Sequence, residues 1–155
     1  MTIHWHCKAF DGLSPLELYK ILQLRNAVFV VEQNCVFQDA DNKDEGCLHF
    51  MGFANDELVA YTRLSPPKYI YEQASIGRVV TSPAHRSKGL GRELMQRSIE
   101  QCKKYFGNGA IKIGAQYYLV KFYESLGFEI IGEKYDEDGI AHVHMILNKQ
   151  LFGNV

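Results

Sequence analysis

The sequence predicts one α/β or α+β domain built on a mixed sheet. Its 155 residues suit a single domain, so we expect residues 1–155 to form one unit. Apolar runs of strand length alternate with segments of helical periodicity in the order β-α-ββ-β-α-β-α-ββ, and this interleaving is typical of the class. An apolar share of 46% and a charged share of 23% are those of a globular protein.

A strand and a capped helix are predicted at the start of the chain. Residues 3–9 form the strand. Ser14 can cap the helix, Pro15 suits its first position, and Glu17 completes a capping box. Apolar side chains at helical spacing continue this helix to residues 30–31.

Residues 32–46 are predicted to be a loop with a cluster of acidic side chains. The cluster consists of Asp39, Asp41, Asp44 and Glu45. Charged runs are usually solvated and Asp and Asn favour turns, which favours a solvated loop. The alternative is that these charges attract a cationic substrate.

The remaining elements are apolar runs bounded by turn residues. A hairpin at 48–54 and 57–64 is joined by Asn55-Asp56. A long helix begins near Gly89 and Gly107 stops it. The other predicted elements are strands at 74–81, 110–115, 128–133 and 141–147, a short helix at 117–126, and a turn at 136–139.

The segment between strand 74–81 and the long helix carries the strongest functional signal. A helix N-terminus presents unpaired N–H groups and the positive end of the helix dipole. Gly89 lets a bulky anion approach the backbone, and Arg86, Lys88 and Arg92 add positive charge. The segment therefore predicts a site for a pyrophosphate-like anion. A simple glycine turn with solvated cations is the alternative.

Two motifs make the chain resemble the GNAT superfamily of acetyl-CoA-dependent N-acetyltransferases. Residues 86–91, Arg-Ser-Lys-Gly-Leu-Gly, match its signature R/Q-x-x-G-x-G/A, and residues 122–128 match its motif F-Y-x-x-x-G-F. Further stretches resemble the ElaA-like branch of that superfamily: 24–35, 76–79, and 137–142 with Met145. Ala141 departs from the branch, which more often has proline there.

The resemblance implies a fold and a co-substrate. The fold is a mixed, mostly antiparallel sheet of six or seven strands flanked by helices. Its two central parallel strands, here 74–81 and 110–115, would splay apart around acetyl-CoA, with no metal involved. The residues assigned to acetyl-CoA are Val79, Val80 and Thr81 on the strand, Arg86, Ser87, Lys88, Gly89, Leu90, Gly91 and Arg92 at the helix start, and Gln116 and Phe122 beside the pantetheine arm.

Acyl transfer to an amine also needs proton transfers. A lysine-like amine has a pKa of about 10.4, so its proton must be removed before it attacks the thioester. The resemblance makes Tyr123 the acid that protonates the leaving thiolate, with core packing as the alternative. Glu32 is predicted to be the base, with a solvated carboxylate or an ion pair to Arg25 as alternatives. A backbone N–H near Val79 or Val80 would stabilise the oxyanion.

Three residues are predicted to contact the acceptor. They are Arg25, Glu32 and His142. His142 and His144 lie one strand period apart, so both side chains point to the same face of their strand. A role for the two histidines as metal ligands is disfavoured, because a zinc site needs further ligands.

Composition narrows the choice of partners and location. Seventeen Lys plus Arg against 18 Asp plus Glu leave a net charge of −1. A non-specific nucleic-acid binder usually carries a basic excess, so no nucleic-acid partner is expected. The sequence shows neither a secretory signal nor an apolar run of about 18 residues, so no membrane partner is expected. Four cysteines without a C-x-x-C pair indicate a reduced, cytoplasmic protein. We expect it to be a monomer or a homodimer.

Three functions remain open at this point. The favoured one is an N-acetyltransferase that moves an acetyl group from acetyl-CoA to a primary amine of a small molecule or peptide by direct attack. A non-catalytic acyl-CoA-binding or regulatory module would keep the anion site without turnover. An acyltransferase of the autoinducer-synthase type is suggested by an R-x-x-V-F element at 25–29.

Overall fold

The computed structural model describes residues 2–148 and contains a seven-stranded sheet. The strands are β1 (Ile3–Ala9), β2 (Leu48–Ala54), β3 (Glu57–Ser65), β4 (Ala74–Thr81), β5 (Ile111–Gln116), β6 (Glu129–Glu137) and β7 (Ile140–Leu147). Their order is β1-β2-β3-β4-β5-β7-β6; β4 pairs with β5 in parallel and the other neighbouring pairs are antiparallel. The predicted mixed, mostly antiparallel sheet is confirmed. Met1 and residues 149–155 of the predicted domain lie outside the described residues.

Three α-helices flank the sheet: α1 (Pro15–Arg25), α2 (Leu90–Phe106) and α3 (Val120–Glu124). The predicted capping box of α1 is present. The Glu17 amide donates to Ser14 Oγ at 3.0 Å, and the Ser14 amide donates to Glu17 Oε1 at 2.8 Å. Among residues 2–148, no helix is long and apolar enough to cross a membrane.

The two faces of the sheet carry separate cores. One face packs against α2 through Leu94, Met95, Ile99 and Cys102, together with Phe50, Leu64, Ile76 and Met145. The other face packs against Ile21 and Leu24 of α1 and against Val28 of the segment that follows it, together with Met51, Tyr61 and Val80. The sheet is therefore covered on both sides along β3 and β4.

The helix predicted to run to residues 30–31 changes its winding after Arg25. Residues Asn26–Glu32 form a π-helix, whose wider turn continues in amide–carbonyl bonds from Gln33 to Val28 and from Cys35 to Val30, each 3.0 Å long. π-helical turns recur at functional sites. Here the wider turn lines the wall of a cleft with Glu32.

The hairpin of β6 and β7 is longer than predicted. Strand β6 runs to Glu137, and the turn consists of Asp138 and Gly139 instead of residues 136–139. Both turn residues have positive φ, 53° and 84°, which is the conformation that a two-residue hairpin turn requires. Residues 117–126 also differ: a 3₁₀ turn, Tyr117–Leu119, leads into the shorter α3.

The acidic loop is anchored in the interior, which corrects the prediction of a solvated loop. Arg25 Nε lies 2.7 Å from Asp39 Oδ2 and Arg25 Nη1 lies 2.8 Å from Asp44 Oδ1. The Arg25 side chain has 0% exposure. The predicted contact between Arg25 and an acceptor is therefore wrong, because the guanidinium is consumed by internal ion pairs.

Two further arginines complete this cluster from β3 and β4. Arg63 makes a two-pronged contact with Asp41, with distances of 2.8 and 2.9 Å. Arg78 Nε lies 2.8 Å from Asp39 Oδ1. Burial opposes ionisation of Asp41, but hydrogen bonds from Arg63 outweigh it and lower the pKa of Asp41 to about 2. Asp39, Asp41 and Asp44 thus neutralise arginines of the interior instead of facing a substrate, and Glu45 of the same cluster is exposed.

Strands β4 and β5 separate soon after they begin. Their paired residues are Ala74 with Ile111 and Ser75 with Lys112. Farther along β4, the register with β3 shifts and Arg78 has a φ of 50°, the signature of a β-bulge, which bends the strand. The predicted splay of the two parallel strands is confirmed, and it opens a cleft between them.

Candidate functional site

A cleft of about 600 Å³ lies between the splayed strands β4 and β5. Its walls are the π-helix with the loop that follows it, the start of α3, and the β6–β7 hairpin. The lining combines apolar and aromatic side chains with a few polar ones, as is usual for small-molecule sites.

Seven of the residues assigned to acetyl-CoA line this cleft: Val79, Val80, Thr81, Arg86, Gly91, Gln116 and Phe122. The other five, Ser87, Lys88, Gly89, Leu90 and Arg92, lie at its rim, at the start of α2. The Leu90 side chain is buried in the core, so only its backbone is available to a ligand. The strand–loop–helix segment thus forms one end of the cleft.

The start of α2 is open, as an anion site requires. Gly89 is the N-cap residue of α2 and has a φ of 74°. It has no side chain that could accept a hydrogen bond from the first amides of the helix. A Cβ added at Gly89 or Gly91 would meet no atom within 4 Å. Free N–H groups of the first turn and space above two glycines together suit a bulky anion.

Tyr123 combines core packing with access to the cleft. Its ring packs edge-on against Phe122 and Phe128, at centroid distances of 5.2 and 6.0 Å. The side chain is 6% exposed yet lines the cleft. Burial raises the pKa of Tyr123 to about 12, so its hydroxyl stays protonated at neutral pH. The protonated hydroxyl is available to donate a proton, and it cannot accept one as a general base.

Glu32 is tied to the cofactor side of the cleft instead of to Arg25. Its two carboxylate oxygens accept hydrogen bonds from Arg86 Nη1 at 2.8 Å and from Nη2 at 2.7 Å. These hydrogen bonds lower the pKa of Glu32. The pairing makes Glu32 a weaker proton acceptor, which argues against its predicted role as the base. Both side chains are about two-fifths exposed, so the pair spans the mouth of the cleft.

Glu32→Gln is expected to tighten CoA binding by up to about fivefold, because an exposed ion pair contributes about 0.2–1 kcal/mol and its loss frees Arg86 for phosphate. Isothermal titration with CoA measures this change. Glu57→Gln, in the exposed β2–β3 turn region, is the matched control. Unchanged CoA affinity together with a collapse of amine-dependent turnover would instead restore Glu32 as the base.

The acceptor side of the cleft is held together by two long-range contacts. Gln116 Nε2 donates to Gln33 Oε1 at 3.2 Å, and Cys35 Sγ donates to the Asp138 carbonyl at 3.2 Å. They join the loop after the π-helix to β5 and to the β6–β7 turn. His142, a predicted acceptor contact, lies in this wall.

Several lining residues were not predicted: Gln33, Cys35, Phe37, Arg78 and Glu137. Arg78 is paired with Asp39, so it shapes the bulge of β4. Of these five, only Phe37 lies outside the segments that sequence resemblance marks: Gln33 and Cys35 fall in 24–35, Arg78 in 76–79 and Glu137 at the start of 137–142. Within residues 2–148, no group of three or more His, Cys, Asp or Glu side chains is placed to hold a metal ion.

Comparison with known proteins agrees with this geometry. Residues 23–149 match the family described as "Acetyltransferase (GNAT) domain". The chain is 43% identical to Protein ElaA of Escherichia coli over 145 residues, which cover 92% of this chain and 95% of that protein. The crystal structure of Escherichia coli ElaA superposes with a TM-score of 0.88, at 42% identity over 94% of this chain and 99% of that one.

A second solved structure is equally similar. An acyl-CoA N-acyltransferase from Pseudomonas aeruginosa superposes with a TM-score of 0.89, at 39% identity, over 94% of this chain and 99% of that one. A GNAT family acetyltransferase from Elizabethkingia anophelis, solved with acetyl-CoA bound, shares the fold at 16% identity, with a TM-score of 0.65 over 94% of this chain and 97% of that one. The chain therefore belongs to the GNAT acetyltransferase family, among its ElaA-like members.

Proposed function

We propose that this protein is an N-acetyltransferase that moves the acetyl group of acetyl-CoA to a primary amine of a small molecule or peptide. The observation that carries the proposal is one cleft that contains both an open helix N-terminus and a buried, protonated tyrosine. The first suits the diphosphate of CoA, and the second suits its leaving thiolate. Family membership supports acyl transfer in general.

The splay of β4 offers a place for the pantetheine arm. On its β3 side, β4 is paired as far as Thr81, whereas its β5 side is paired at Ala74 and Ser75. The β5-facing backbone groups at Val79–Thr81 are therefore available to the amides of pantetheine. Phe122 and Gln116 line the opposite side. A protein of the same fold has been solved with acetyl-CoA bound.

Each step of the reaction can be assigned to a group in the cleft. The neutral amine attacks the thioester carbonyl and forms a tetrahedral oxyanion, for which a backbone N–H near Val79 or Val80 is the donor. The C–S bond then breaks and the amide forms. The CoA thiolate takes the proton of the Tyr123 hydroxyl. A separate base must take one proton from the acceptor ammonium before the attack, and the second proton, released from the nitrogen as the amide forms, restores the Tyr123 hydroxyl.

The two alternative functions have less support. The R-x-x-V-F element that suggested an autoinducer-type synthase has a structural explanation, since Arg25 is enclosed by Asp39 and Asp44. A non-catalytic module needs no buried phenol in the cleft, yet Tyr123 lies there. The observations therefore favour turnover.

Two measurements test the proposal in sequence. Calorimetric titration with CoA and acetyl-CoA is expected to show one saturable site. A panel of primary amines, followed by release of the CoA thiol and mass analysis of the product, is expected to give an acetylated amine. Absence of CoA binding would refute the proposal, and tight binding without turnover on any amine would favour the non-catalytic module.

Gly91→Asp is expected to weaken CoA binding by about tenfold or more, because a carboxylate would face the diphosphate. The fold should tolerate the change. Gly91 has open space around its Cβ position, and an acidic residue suits the first turn of a helix. Gly91→Ala is the matched control and should bind CoA within about twofold of wild type. Equal CoA affinity in wild type and in both variants would show that the start of α2 does not bind CoA.

A further inference from the structure

His142 is held in one tautomer at the acceptor wall of the cleft. Its Nδ1 lies 2.8 Å from the carbonyl oxygen of Ile140. A carbonyl oxygen only accepts hydrogen bonds, so Nδ1 carries the proton of the neutral ring. The other nitrogen, Nε2, then bears the lone pair. A backbone contact two residues away thus presents a basic atom within the wall of the cleft.

A carboxylate lies beside that basic atom. Glu137 Oε2 is 3.5 Å from His142 Nε2. The His142 side chain is 9% exposed, whereas that of Glu137 is 59% exposed. The pair therefore leads from the interior of the cleft to solvent. Protonation of Nε2 would convert it into an ion pair.

The aromatic neighbours of His142 are neutral. Tyr135 of β6 stacks on its ring at 5.7 Å and also on His144 at 4.6 Å. Burial raises the pKa of Tyr135 to about 12 and lowers the pKa of His144, so both are uncharged at neutral pH. The further titratable groups on this face are Lys112 of β5, Tyr71 before β4, and Asp138 in the hairpin turn.

Resting on the function proposed above, we propose that His142 is the general base and Glu137 its positioning residue. His142 Nε2 takes one proton from the acceptor ammonium, which leaves the nitrogen lone pair free to attack the thioester. The new imidazolium is stabilised by Glu137, and its proton passes to water through that exposed carboxylate. The roles at the cleft then divide cleanly, with Tyr123 supplying a proton to the thiolate and His142 removing one from the amine.

Glu32, the other carboxyl group considered for this task, is engaged elsewhere. Both of its oxygens accept hydrogen bonds from Arg86. A carboxylate so paired attracts a proton less strongly than an imidazole with an unshared lone pair. The geometry of the two sites therefore favours His142.

His142→Gln is the central test, because glutamine keeps an N–H donor for the Ile140 carbonyl but has no basic nitrogen. We expect kcat to fall by about 10²-fold or more, and the acidic limb of the pH profile to disappear. Acetyl-CoA affinity and melting temperature should be unchanged. His144→Gln, one strand period away on the same face, is the matched control and should keep the limb. A His142→Gln enzyme with its acidic limb intact overturns the proposal.

The Glu137→Gln variant tests whether Glu137 acts on the reaction through His142 or only maintains the fold. The variant replaces the carboxylate 3.5 Å from Nε2 by a neutral amide, which removes the countercharge of the imidazolium, so the acidic limb of the rate profile is expected to move to lower pH. A limb that stays in place overturns the role of Glu137.

A readout without turnover distinguishes this proposal from the proposed function. Long-range ¹H–¹⁵N spectra of the histidine rings report the tautomer in the free protein. We expect His142 as the Nδ1–H form, and an Nε2–H form overturns the assignment whatever the activity. A protein that has the expected tautomer and binds CoA but acetylates no amine would refute the proposed function instead.

Discussion

Tyr123→Phe is expected to lower kcat by about 10²- to 10⁴-fold while leaving the Kd for acetyl-CoA within about twofold. The substitution removes the hydroxyl proton that the leaving thiolate needs. It keeps the ring contacts with Phe122 and Phe128, so the fold should persist. Stopped-flow or steady-state turnover, together with calorimetric titration of acetyl-CoA, measures the two quantities separately.

Tyr117→Phe is the matched control for this experiment, since Tyr117 lies in the 3₁₀ turn just before α3 and is not among the lining residues of the cleft. Its turnover should match that of wild type. The pKa of Tyr123 of about 12 also means that the wild-type pH profile should show no loss of this acid below about pH 11. Parallel losses of kcat and acetyl-CoA affinity in Tyr123→Phe would show that the tyrosine binds or packs instead.

Arg25→Met is expected to destabilise the fold by up to about 3–5 kcal/mol, because its removal leaves the buried Asp39 carboxylate with only part of its charge compensation. The Asp39 side chain is 2% exposed and would lose its 2.7 Å contact with Arg25. Asp39 keeps its 2.8 Å contact with Arg78 and Asp44 keeps a 2.9 Å contact with Arg63, so each carboxylate loses one of two arginine partners. Denaturant unfolding monitored by circular dichroism measures the free energy of unfolding.

Two further variants make this prediction specific. Arg97→Met breaks an exposed i,i+4 pair with Glu93 and should cost less than about 1 kcal/mol. The double variant Arg25→Met/Asp39→Asn removes both buried charges and should recover part of the stability lost in the single variant. A single variant as stable as Arg97→Met would show that the buried cluster contributes little.

Local signals account for the parts of the fold that were predicted from the sequence. The predicted bounds of β2 and β4 agree with the structure, since the turn Asn55-Asp56 follows β2 and Pro83 lies just beyond the end of β4. The capping box of α1 is equally local, because all of its atoms lie within four consecutive residues.

The errors in the prediction depend on distant partners. The acidic loop appeared solvated because nothing near it in sequence shows that Arg63 and Arg78 need buried counterions. The π-helix has no pattern distinct from an α-helix of the same apolar spacing. Both features were therefore decided by tertiary packing against β3 and β4.

The candidate site also has one side that local motifs predict and one side that depends on residues distant in sequence. The cofactor side follows from contiguous motifs, since amides and glycines of a strand–loop–helix act together wherever the fold places them. The acceptor side is assembled from separate segments, in which Gln33 contacts Gln116 of β5 and Cys35 contacts Asp138 of the β6–β7 turn. That meeting depends on the sheet order β5-β7-β6, which no local motif specifies.

Titration of the ¹⁵N-labelled protein with CoA tests most directly whether the start of α2 holds the diphosphate. We predict that the amides of residues 87–92 show the largest, saturable chemical-shift changes, and that Gly91→Asp requires at least about tenfold more CoA to reach the same change. Shifts confined to other parts of the protein, with the amides of residues 87–92 unmoved at saturating CoA, would contradict the account.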